Sequence, residues 1–335
     1  MGMMKAWVLA HQAPIGMNPL EKVNLEMPEP GRGEIRIKVV ACGVCRTDIH
    51  IAEGDLPLKK SPLVLGHEIV GVVDKVGEGV TRFRPGVRVG VAWLNAACGT
   101  CKFCRSGREN LCPEARFTGW DVNGGFAEYT VVHEDFAFPL GDKLSFEALA
   151  PMMCPGIAGY RCYRLSGVAE GEILGLYGYG PTASYVLQVA HAKGVKAFVV
   201  TRSEANQQAA REMEADWVGG PGDSLPDKMD AAIIFPPAGN LVEKVLANLQ
   251  RGGRLVLSPV TMTPITIADY NHIWMERSII SLANISRRDG VEFLHLAERA
   301  GFKSRFETFG FDDLPEVMIR VKDGKVKGNA VIWID

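Results

Sequence analysis

The stretch Ile173–Ala183 reads Ile-Leu-Gly-Leu-Tyr-Gly-Tyr-Gly-Pro-Thr-Ala. Gly178, Gly180 and Ala183 form the pattern G-x-G-x-x-A between an apolar strand pattern and a helical pattern. Such glycines permit a tight turn and let the backbone approach a pyrophosphate at the N-terminus of the helix. Alone the motif is weak, because a tight strand–helix turn that binds no ligand looks similar. Its meaning therefore depends on the segments around it.

Strand and helix patterns alternate on both sides of this loop. The predicted strands are Ile173–Tyr177, Ala197–Thr201, Ala231–Phe235 and Arg254–Ser258, and the predicted helices cover about 181–193, 203–214 and 241–250. This βαβ series predicts a parallel sheet with helices on both faces. In that context the glycine motif favours a dinucleotide-binding site.

The first 150 or so residues have a different character. Short strands are predicted at 34–41, 69–76, 88–92 and 127–132, between glycine and proline turns. They indicate an antiparallel, loop-rich β domain. After about Gly290 a helix, a strand near 305–308, a second helix over 313–322 and an apolar strand over 330–334 follow. This tail is too short for a core of its own, so it is expected to return to the first domain.

The resulting fold class is α/β, with an antiparallel β-rich domain and a doubly wound parallel-sheet domain. The predicted domains are residues 1–156 with 291–335, and residues 157–290. A chain of 335 residues that is 47% hydrophobic can bury a core in each.

Composition also excludes several function classes. The net charge is -2 and no basic run is present, so nucleic acid is not an expected partner. No apolar run reaches the ~18 residues of a membrane span, and the start is too short for the apolar core of a signal peptide. A cytoplasmic location and no membrane partner are therefore expected.

Four cysteines stand at Cys98, Cys101, Cys104 and Cys112, with the spacing C-x2-C-x2-C-x7-C. Short C-x2-C turns bring sulfurs to the separation that a tetrahedral zinc requires. Reduced cysteines in a loop, or disulfides, are the alternatives, but such clusters in a chain of intracellular character usually bind metal. Since all four ligands are thiolates, a zinc in this lobe, about residues 95–113, would be structural.

A second set of possible ligands is spread along the chain. Cys45, His67 and Cys154 would form a Cys2His site with one open position, the pattern of a catalytic zinc. Taken singly, each is more often a buried core residue than a ligand. Their occurrence together with the four-cysteine lobe and the dinucleotide loop favours the metal site.

These motifs together resemble the zinc-dependent alcohol dehydrogenases of the medium-chain dehydrogenase/reductase family. The resemblance covers essentially the whole chain. It rests on G-V-C-R-T-D-I-H from Gly43, G-H-E from Gly66, the four-cysteine lobe, A-P-M-M-C from Ala150, G-Y-G-P-T-A from Gly178 and the C-terminal return. It implies a GroES-like catalytic domain, a Rossmann domain and two zinc ions per chain. It also implies reversible hydride transfer between a primary or small aliphatic alcohol or aldehyde and NAD(P), by a homo-oligomer that is a tetramer or a dimer.

The resemblance assigns roles to the residues around the open zinc. It makes Cys45, His67 and Cys154 the ligands of the catalytic zinc. Glu68 would be a transient or fourth ligand, Asp48 would orient His67, Thr47 would relay the proton, His50 would be the base at the solvent end, and Arg46 would contact the pyrophosphate.

The ribose end of the cofactor site is predicted from the second strand of the βαβ series. NAD sites carry an acidic residue about 20 residues after the glycine loop. Here Thr201, Arg202 and Ser203 come first and the next acid is Glu204. Since hydroxyls and a guanidinium bind phosphate, this segment predicts a preference for NADP(H) over NAD(H). The alternative is that Arg202 is a solvated residue at a helix start.

Three departures from the family pattern concern the cofactor. The third glycine of the loop is replaced by Ala183, which the motif tolerates. Pro181 replaces the usual small residue after the second glycine, and Gly328-Asn329 stands where many relatives have Gly-Arg. One phosphate contact is therefore expected to be missing.

Leu56, Trp93 and Trp120 are the candidate pocket residues, by resemblance to the tetrameric microbial enzymes. Two indoles near the zinc would narrow the site, and apolar walls suit a short aliphatic chain. Ordinary core packing is an equally common role for such residues.

Two other functions compete with the alcohol dehydrogenase. A polyol or sugar dehydrogenase of the same superfamily is disfavoured by Cys154, because those enzymes commonly carry Glu there. A non-catalytic zinc-binding module is disfavoured by the open site and the nucleotide loop. Metal content discriminates, since the enzyme would bind two zinc ions and the module one.

Overall fold

The computed structural model describes residues 2–334. They form two compact units, one made of the chain up to Cys154 and from Asn284 onwards, the other of Pro155–Ala283. The domain boundaries after residues 156 and 290 stay a prediction. In the described part of the chain, no helix is both long and apolar enough to cross a membrane.

The regular elements alternate in type along the second unit and are mostly strands in the first. The strands are β1 (Met3–Leu9), β2 (Leu20–Glu26), β3 (Glu34–Val44), β4 (Leu63–Val64), β5 (Glu68–Val76), β6 (Arg88–Val91), β7 (Leu94–Ala96), β8 (Arg116–Phe117), β9 (Tyr129–His133), β10 (Ala137–Pro139), β11 (Ile173–Tyr177), β12 (Lys196–Val200), β13 (Trp217–Gly219), β14 (Met229–Ile234), β15 (Leu249–Leu257), β16 (Ser278–Ser281), β17 (Phe306–Gly310) and β18 (Asn329–Trp333). The helices are α1 (Arg46–Glu53), α2 (Lys102–Arg105), α3 (Phe146–Leu149), α4 (Pro155–Ser166), α5 (Pro181–Ala192), α6 (Glu204–Glu212), α7 (Val242–Ala247), α8 (Arg287–Ala300) and α9 (Leu314–Lys322).

The first unit is organised on β3. One edge of this strand pairs with β5, and the other edge pairs first with β9 and then with β18, all antiparallel. Ile35, Ile37 and Val39 are fully buried, as expected when alternate residues of a strand face a core. Because β18 pairs with β3, the end of the chain belongs to this unit.

The register of β3 and β5 brings two parts of the sequence together. Gly43 lies opposite Glu68, near the end of β3 and at the start of β5. Cys45 follows β3 directly and His67 precedes β5 directly. The antiparallel pairing therefore places both at the same end of the sheet.

The second unit contains a six-stranded parallel sheet. Its order is β13-β12-β11-β14-β15-β16, and each neighbouring pair is parallel. The order changes direction beside β11, which is the strand before the glycine loop. Ligands of doubly wound sheets bind at such a switch point. This sheet and the β-rich first unit confirm the predicted fold class.

Some elements differ from the sequence prediction. The helix predicted over 241–250 ends at Ala247, because Asn248 caps it and β15 begins at once. The pairing of β1 with β2, the edge strand β16 and the helix α1 were not predicted. In α1 the β-branched Thr47, Ile49 and Ile51 weaken the helical signal, and tertiary contacts decide its conformation.

Candidate active site

Four cysteines come together in the lobe between β7 and β8. The sulfurs of Cys98, Cys101, Cys104 and Cys112 all lie within 4.8 Å of one another. The pairs Cys98–Cys112, Cys101–Cys104 and Cys98–Cys104 are 3.5, 3.6 and 3.9 Å apart. A tetrahedral zinc with Zn–S bonds of about 2.3 Å separates its sulfurs by about 3.8 Å. The four side chains therefore fit a closed zinc site.

Backbone N–H groups surround these sulfurs. Those of Thr100 and Cys101 lower the pKa of Cys98 to about 6, whereas burial and the Cys101 thiol raise the pKa of Cys104 to about 12. Part of the thiolate charge is thus present without a metal. The remaining protons would leave when a cation binds, which couples metal affinity to pH.

A buried carboxylate anchors the lobe to the rest of the first unit. Glu109 is 5% exposed. Its Oε1 accepts hydrogen bonds from the backbone N of Arg287 at 3.0 Å and from the Arg287 Nε at 3.2 Å. Since Arg287 is the first residue of α8, this pair joins the lobe to a helix N-terminus.

A second group of metal-binding side chains lies where β3 and β5 meet. Ligand atoms of Cys45, His67, Glu68 and Cys154 are all within 4.8 Å of one another. The Cys45 and Cys154 sulfurs are 3.9 Å apart. Cys45 is the N-cap of α1, and Cys154 follows the single turn of 3-10 helix Ala150–Met153.

The carboxylate of Asp48 holds this group in place. It is fully buried. Its Oδ2 accepts from the backbone N of Cys45 at 2.9 Å, and its Oδ1 accepts from the backbone N of Gly66 at 3.1 Å. The same Oδ1 lies 3.1 Å from Nδ1 of His67. One side chain therefore caps α1 and orients the histidine.

The other ring nitrogen of His67 is available for a metal. Its Nε2 is buried and has no hydrogen-bond partner of acceptable geometry among residues 2–334. Burying such an atom is costly unless a ligand compensates. With two thiols and a carboxylate beside it, the donor set fits zinc.

Protons redistribute among these groups when no cation is bound. The hydrogen bond from the Cys154 thiol holds the pKa of Cys45 well below its usual range. Bonding to the Cys45 sulfur, together with burial, raises the pKa of Cys154. Burial opposes protonation of His67, but Asp48 and the nearby Cys45 sulfur outweigh it and raise the His67 pKa well above its ordinary value. A thiolate is therefore ready to bind a cation.

Glu68 reaches the metal-binding group only because Gly43 has no side chain. A Cβ atom at Gly43 would lie 1.9 Å from Oε2 of Glu68. The carboxylate thus folds directly over the β3 backbone. Burial and the charge of Cys45 raise the pKa of Glu68 well above its usual range.

The predicted relay residues lie on α1. Thr47 is buried and its Oγ1 is 3.6 Å from the Cys45 sulfur. His50 is three residues further along, on the same side of the helix. Arg46 is exposed, and its Nη2 donates to the backbone O of Lys322 at 2.9 Å.

A cluster of aromatic side chains lies beside His67. The Trp93 ring is 5.8 Å from the His67 ring and 6.0 Å from the Trp120 ring. Phe117, which the sequence analysis did not single out, lies 4.8 Å from Trp93 and 5.8 Å from Trp120. The Trp120 Nε1 donates to the backbone O of Pro57, next to the half-buried Leu56. Leu56 and Trp120 also pack against the hydrophobic core of this unit.

The glycine loop of the second unit is shaped for an anion. Gly178 has φ +87, a conformation that favours glycine. Gly180 is the N-cap of α5, and a Cβ there would meet no described atom within 4 Å. No side chain of residues 2–334 caps this helix start, and Ala183 is buried on its inner face. Its N-terminal amides therefore suit a phosphate.

The end of β12 carries the residues predicted to face the ribose. Thr201 is buried and its carbonyl accepts from Gln207 Nε2 at 2.9 Å. Arg202 is exposed. Ser203 is the N-cap of α6, with its Oγ accepting from the backbone N of Asn206 at 3.4 Å.

The structure brings together the members of each predicted metal-binding group. It places Gly178 after β11 and Thr201, Arg202 and Ser203 after β12. The roles assigned to individual residues stay predictions. Two features were missed besides Phe117, namely the glycine beneath Glu68 and an Asp55 carboxylate beside His50. A pattern of aromatics in F-T-G-W could have pointed to Phe117, but only packing reveals the other two.

Comparison with known proteins agrees with this architecture. Residues 31–142 match the alcohol dehydrogenase GroES-like domain family. A probable alcohol dehydrogenase of Mycobacterium tuberculosis is 39% identical, over 99% of this chain and 97% of its own length. An alcohol dehydrogenase of Geobacillus stearothermophilus is 33% identical, over 95% of this chain and 97% of its own. A cinnamyl alcohol dehydrogenase structure from Sorghum bicolor is 27% identical with a TM-score of 0.88, covering 99% of this chain and 97% of its own.

The chain belongs to the zinc-type medium-chain alcohol dehydrogenases. It is an oxidoreductase of the alcohol dehydrogenase class, which confirms the predicted family and the class of activity.

The Glu109 anchor generates a stability prediction. Glu109→Ala should lower the free energy of unfolding by about 1–3 kcal/mol, because it removes both hydrogen bonds that the buried Glu109 carboxylate accepts from Arg287, one of them from the backbone N at the start of α8. Arg287→Ala is the matched control, since it keeps the backbone N–H bond and removes only a half-exposed side chain whose contribution is about 0–1 kcal/mol. Urea unfolding of the zinc-loaded proteins measures both. Equal stabilities of Glu109→Ala and wild type would contradict the anchor.

Proposed function

We propose that the enzyme oxidises primary or small aliphatic alcohols to aldehydes, and reduces aldehydes in the reverse direction. The observation that carries this proposal is the buried Nε2 of His67, which has no hydrogen-bond partner among residues 2–334. It lies beside two cysteine side chains and the Glu68 carboxylate. Three protein ligands and an open position are typical of a catalytic zinc. Cys45, His67 and Cys154 are the proposed ligands, with Glu68 as a transient or fourth one.

The chemistry divides between the zinc and the chain. Zinc supplies a Lewis acid that polarises the alcohol oxygen and lowers its pKa. Asp48 keeps the His67 ring oriented through Nδ1. The Thr47 hydroxyl would accept the alcohol proton and release its own towards His50, which would pass a proton to solvent. A bound nicotinamide would supply the hydride acceptor.

The aromatic rings beside His67 favour substrates with a short aliphatic chain. Trp120 stacks on both Trp93 and Phe117, and Trp93 contacts His67. Leu56 precedes Pro57, whose carbonyl accepts from Trp120 Nε1. Apolar walls of this kind suit an aliphatic chain better than a polyol. Values of kcat/KM for ethanol, 1-butanol, 1-hexanol and sorbitol test this: a preference for sorbitol would support the polyol alternative.

The proposed cofactor is NADP(H). The pyrophosphate would lie on the N-terminus of α5, approached by Gly178 and Gly180 and packed by Ala183. Arg46, the first residue of α1, would contact the pyrophosphate, as the family resemblance implies. The 2′-phosphate would be bound by Thr201, Arg202 and Ser203. No acidic residue at this strand end precedes Glu204, so no carboxylate there would repel the phosphate.

A homo-oligomer is proposed from the surface of the second unit. The edge strand β16 carries the exposed Ile280, and the preceding segment exposes further large apolar side chains: Val260, Ile265, Tyr270, Trp274 and Met275. Such patches mark interaction surfaces. Light scattering, which gives the mass in solution, distinguishes a monomer from a dimer or tetramer.

A cytoplasmic location is also proposed. None of the eight cysteines, all within residues 2–334, forms a disulfide. Both proposed zinc sites need thiolates, which a reducing compartment preserves. Fractionation of cells that produce the protein tests this.

Two cysteine variants form a matched pair that tests the two zinc roles. Cys45→Ser and Cys104→Ser should each lower the zinc content from two ions per chain to one. Cys45→Ser should lose about 10³-fold in kcat or more, because Lewis-acid stabilisation contributes several kcal/mol, with little change in Tm. Cys104→Ser should mainly lower Tm, since binding of a structural zinc is coupled to folding.

Metal analysis, kcat and Tm are measured on the same preparations. A folded Cys45→Ser protein with two zinc ions and full turnover would contradict the catalytic assignment. A wild type with one zinc and no turnover of any alcohol would favour the non-catalytic module.

The proposed relay predicts an order of effects. Thr47→Ala should slow alcohol oxidation more than His50→Ala, because the hydroxyl contacts the reacting oxygen whereas water replaces part of the histidine's role. General acid–base groups contribute about 10²–10⁴-fold. Thr47→Ser, which keeps the hydroxyl, is the control and should stay close to wild type. Negligible effects of both alanine variants would remove the relay from the mechanism.

The cofactor proposal predicts that Arg202→Ala lowers the ratio of kcat/KM for NADP to that for NAD by about 10- to 100-fold. A hydrogen bond to a charged group contributes about 1.5–3 kcal/mol, which corresponds to this range. Arg211→Ala, at the other end of α6, is the matched control and should keep the wild-type ratio. A wild-type preference for NAD, or an unchanged ratio in Arg202→Ala, would overturn it.

A further inference from the structure

His50 has a partner that the proposed relay does not include. Its Nδ1 lies 2.7 Å from Oδ2 of Asp55. The imidazole is 30% exposed and the carboxylate 57% exposed, so the pair lies at the solvent side of α1. Exposed ion pairs usually contribute little, because two flexible side chains must be held in one geometry. The backbone around this pair, however, is held by several bonds.

The end of α1 turns the chain back onto His50. The helix ends at Glu53, and Gly54 follows with φ +93, the left-handed conformation of a glycine C-cap. The backbone N of Leu56 then donates to the carbonyl of His50 at 3.2 Å. This turn brings Asp55 beside a histidine five positions earlier in the chain.

A glutamine from another part of the unit clamps this turn. The Nε2 of Gln12 donates to the carbonyl of Ile51 at 2.6 Å and to the carbonyl of Leu56 at 2.7 Å. The helix end and the turn are therefore tied to the same side chain. Since Asp has only two side-chain torsions, a fixed backbone leaves its carboxylate little freedom.

We propose that Asp55 is a positioning residue that holds His50 in the tautomer with its hydrogen on Nδ1. Neutral imidazole carries one N–H, and the nitrogen without it is the base. With Nδ1–H donated to Asp55, Nε2 keeps its lone pair for the incoming proton. The proton arrives at Nε2 and leaves from Nε2 to water, while the Nδ1–H bond to Asp55 persists. This inference rests on the proposed relay role of His50.

Kinetics with 1-butanol test whether Asp55 acts through His50. Asp55→Ala should lower kcat about threefold to tenfold, a fraction of what a general base contributes, because a free imidazole still adopts the required tautomer part of the time. Asp55→Asn should recover most of the rate, since its Oδ1 still accepts from Nδ1. In a His50→Gln background, Asp55→Ala should have no further effect, as expected of two residues that act as one unit.

A spectroscopic measurement is independent of turnover. In protein labelled with ¹⁵N-histidine, the ring nitrogen shifts of His50, assigned by comparison with His50→Gln, report which nitrogen carries the hydrogen. Wild type should show a protonated Nδ1, and Asp55→Ala should shift towards a mixture of tautomers. Zinc content and Tm should be unchanged in all variants.

The outcomes separate this inference from the relay itself. If His50→Gln keeps full turnover, the relay is wrong, and the tautomer measurement alone decides whether Asp55 positions His50. If His50→Gln is slow but Asp55→Ala matches wild type in rate and tautomer, the inference is overturned. A loss in Asp55→Ala that persists in the His50→Gln background also overturns it, because Asp55 would then act elsewhere.

Discussion

The candidate site depends on one buried carboxylate that is not itself a proposed metal ligand. Asp48 accepts from the backbone N of Cys45 and of Gly66 and contacts Nδ1 of His67. It therefore joins the start of α1 to the segment before β5. A fully buried charge is tolerated only when its hydrogen bonds are complete, so these partners constrain one another. The positions of Cys45 and His67 follow from this constraint.

Strand pairing places the remaining member of the group. Gly43 faces Glu68 across β3 and β5, and the missing side chain lets the carboxylate lie over the backbone. A residue with a Cβ would force Glu68 away from the thiols. The same end of the sheet continues into α1. Its helical turn places Thr47, beside the Cys45 sulfur, and His50 on one side of the helix. The proposed metal ligands and the proposed relay residues are therefore positioned by the same end of the sheet.

The structural zinc lobe, the glycine loop and the parallel sheet were predictable from the sequence, because each depends on residues that lie close together along the chain. The C-x2-C-x2-C-x7-C lobe and the glycine loop are short motifs whose spacing follows from ligand geometry and turn conformation. The βαβ alternation likewise predicted the parallel sheet. The helix predicted through residue 250 was wrong at its end, because Leu249 continues the helical spacing of Val242, Val245 and Leu246 although it already belongs to β15. The helix α1 was missed because eight residues with three β-branched side chains carry little helical propensity.

By itself the sequence determined the fold class, the family resemblance and the residues able to bind zinc, since these depend on residue types at short, fixed spacings. Only the tertiary structure decided which of them meet, and with what neighbours. The Phe117 ring beside Trp93 and the glycine beneath Glu68 are contacts between segments that are distant in sequence. The Asp55 carboxylate lies only five residues from His50, but the turn that brings them together is held by Gln12 from another part of the chain. These contacts arise from strand register, from side-chain packing and from a helix end capped by glycine. They form only when the whole unit folds, because they depend on distances between backbone segments that local sequence does not specify.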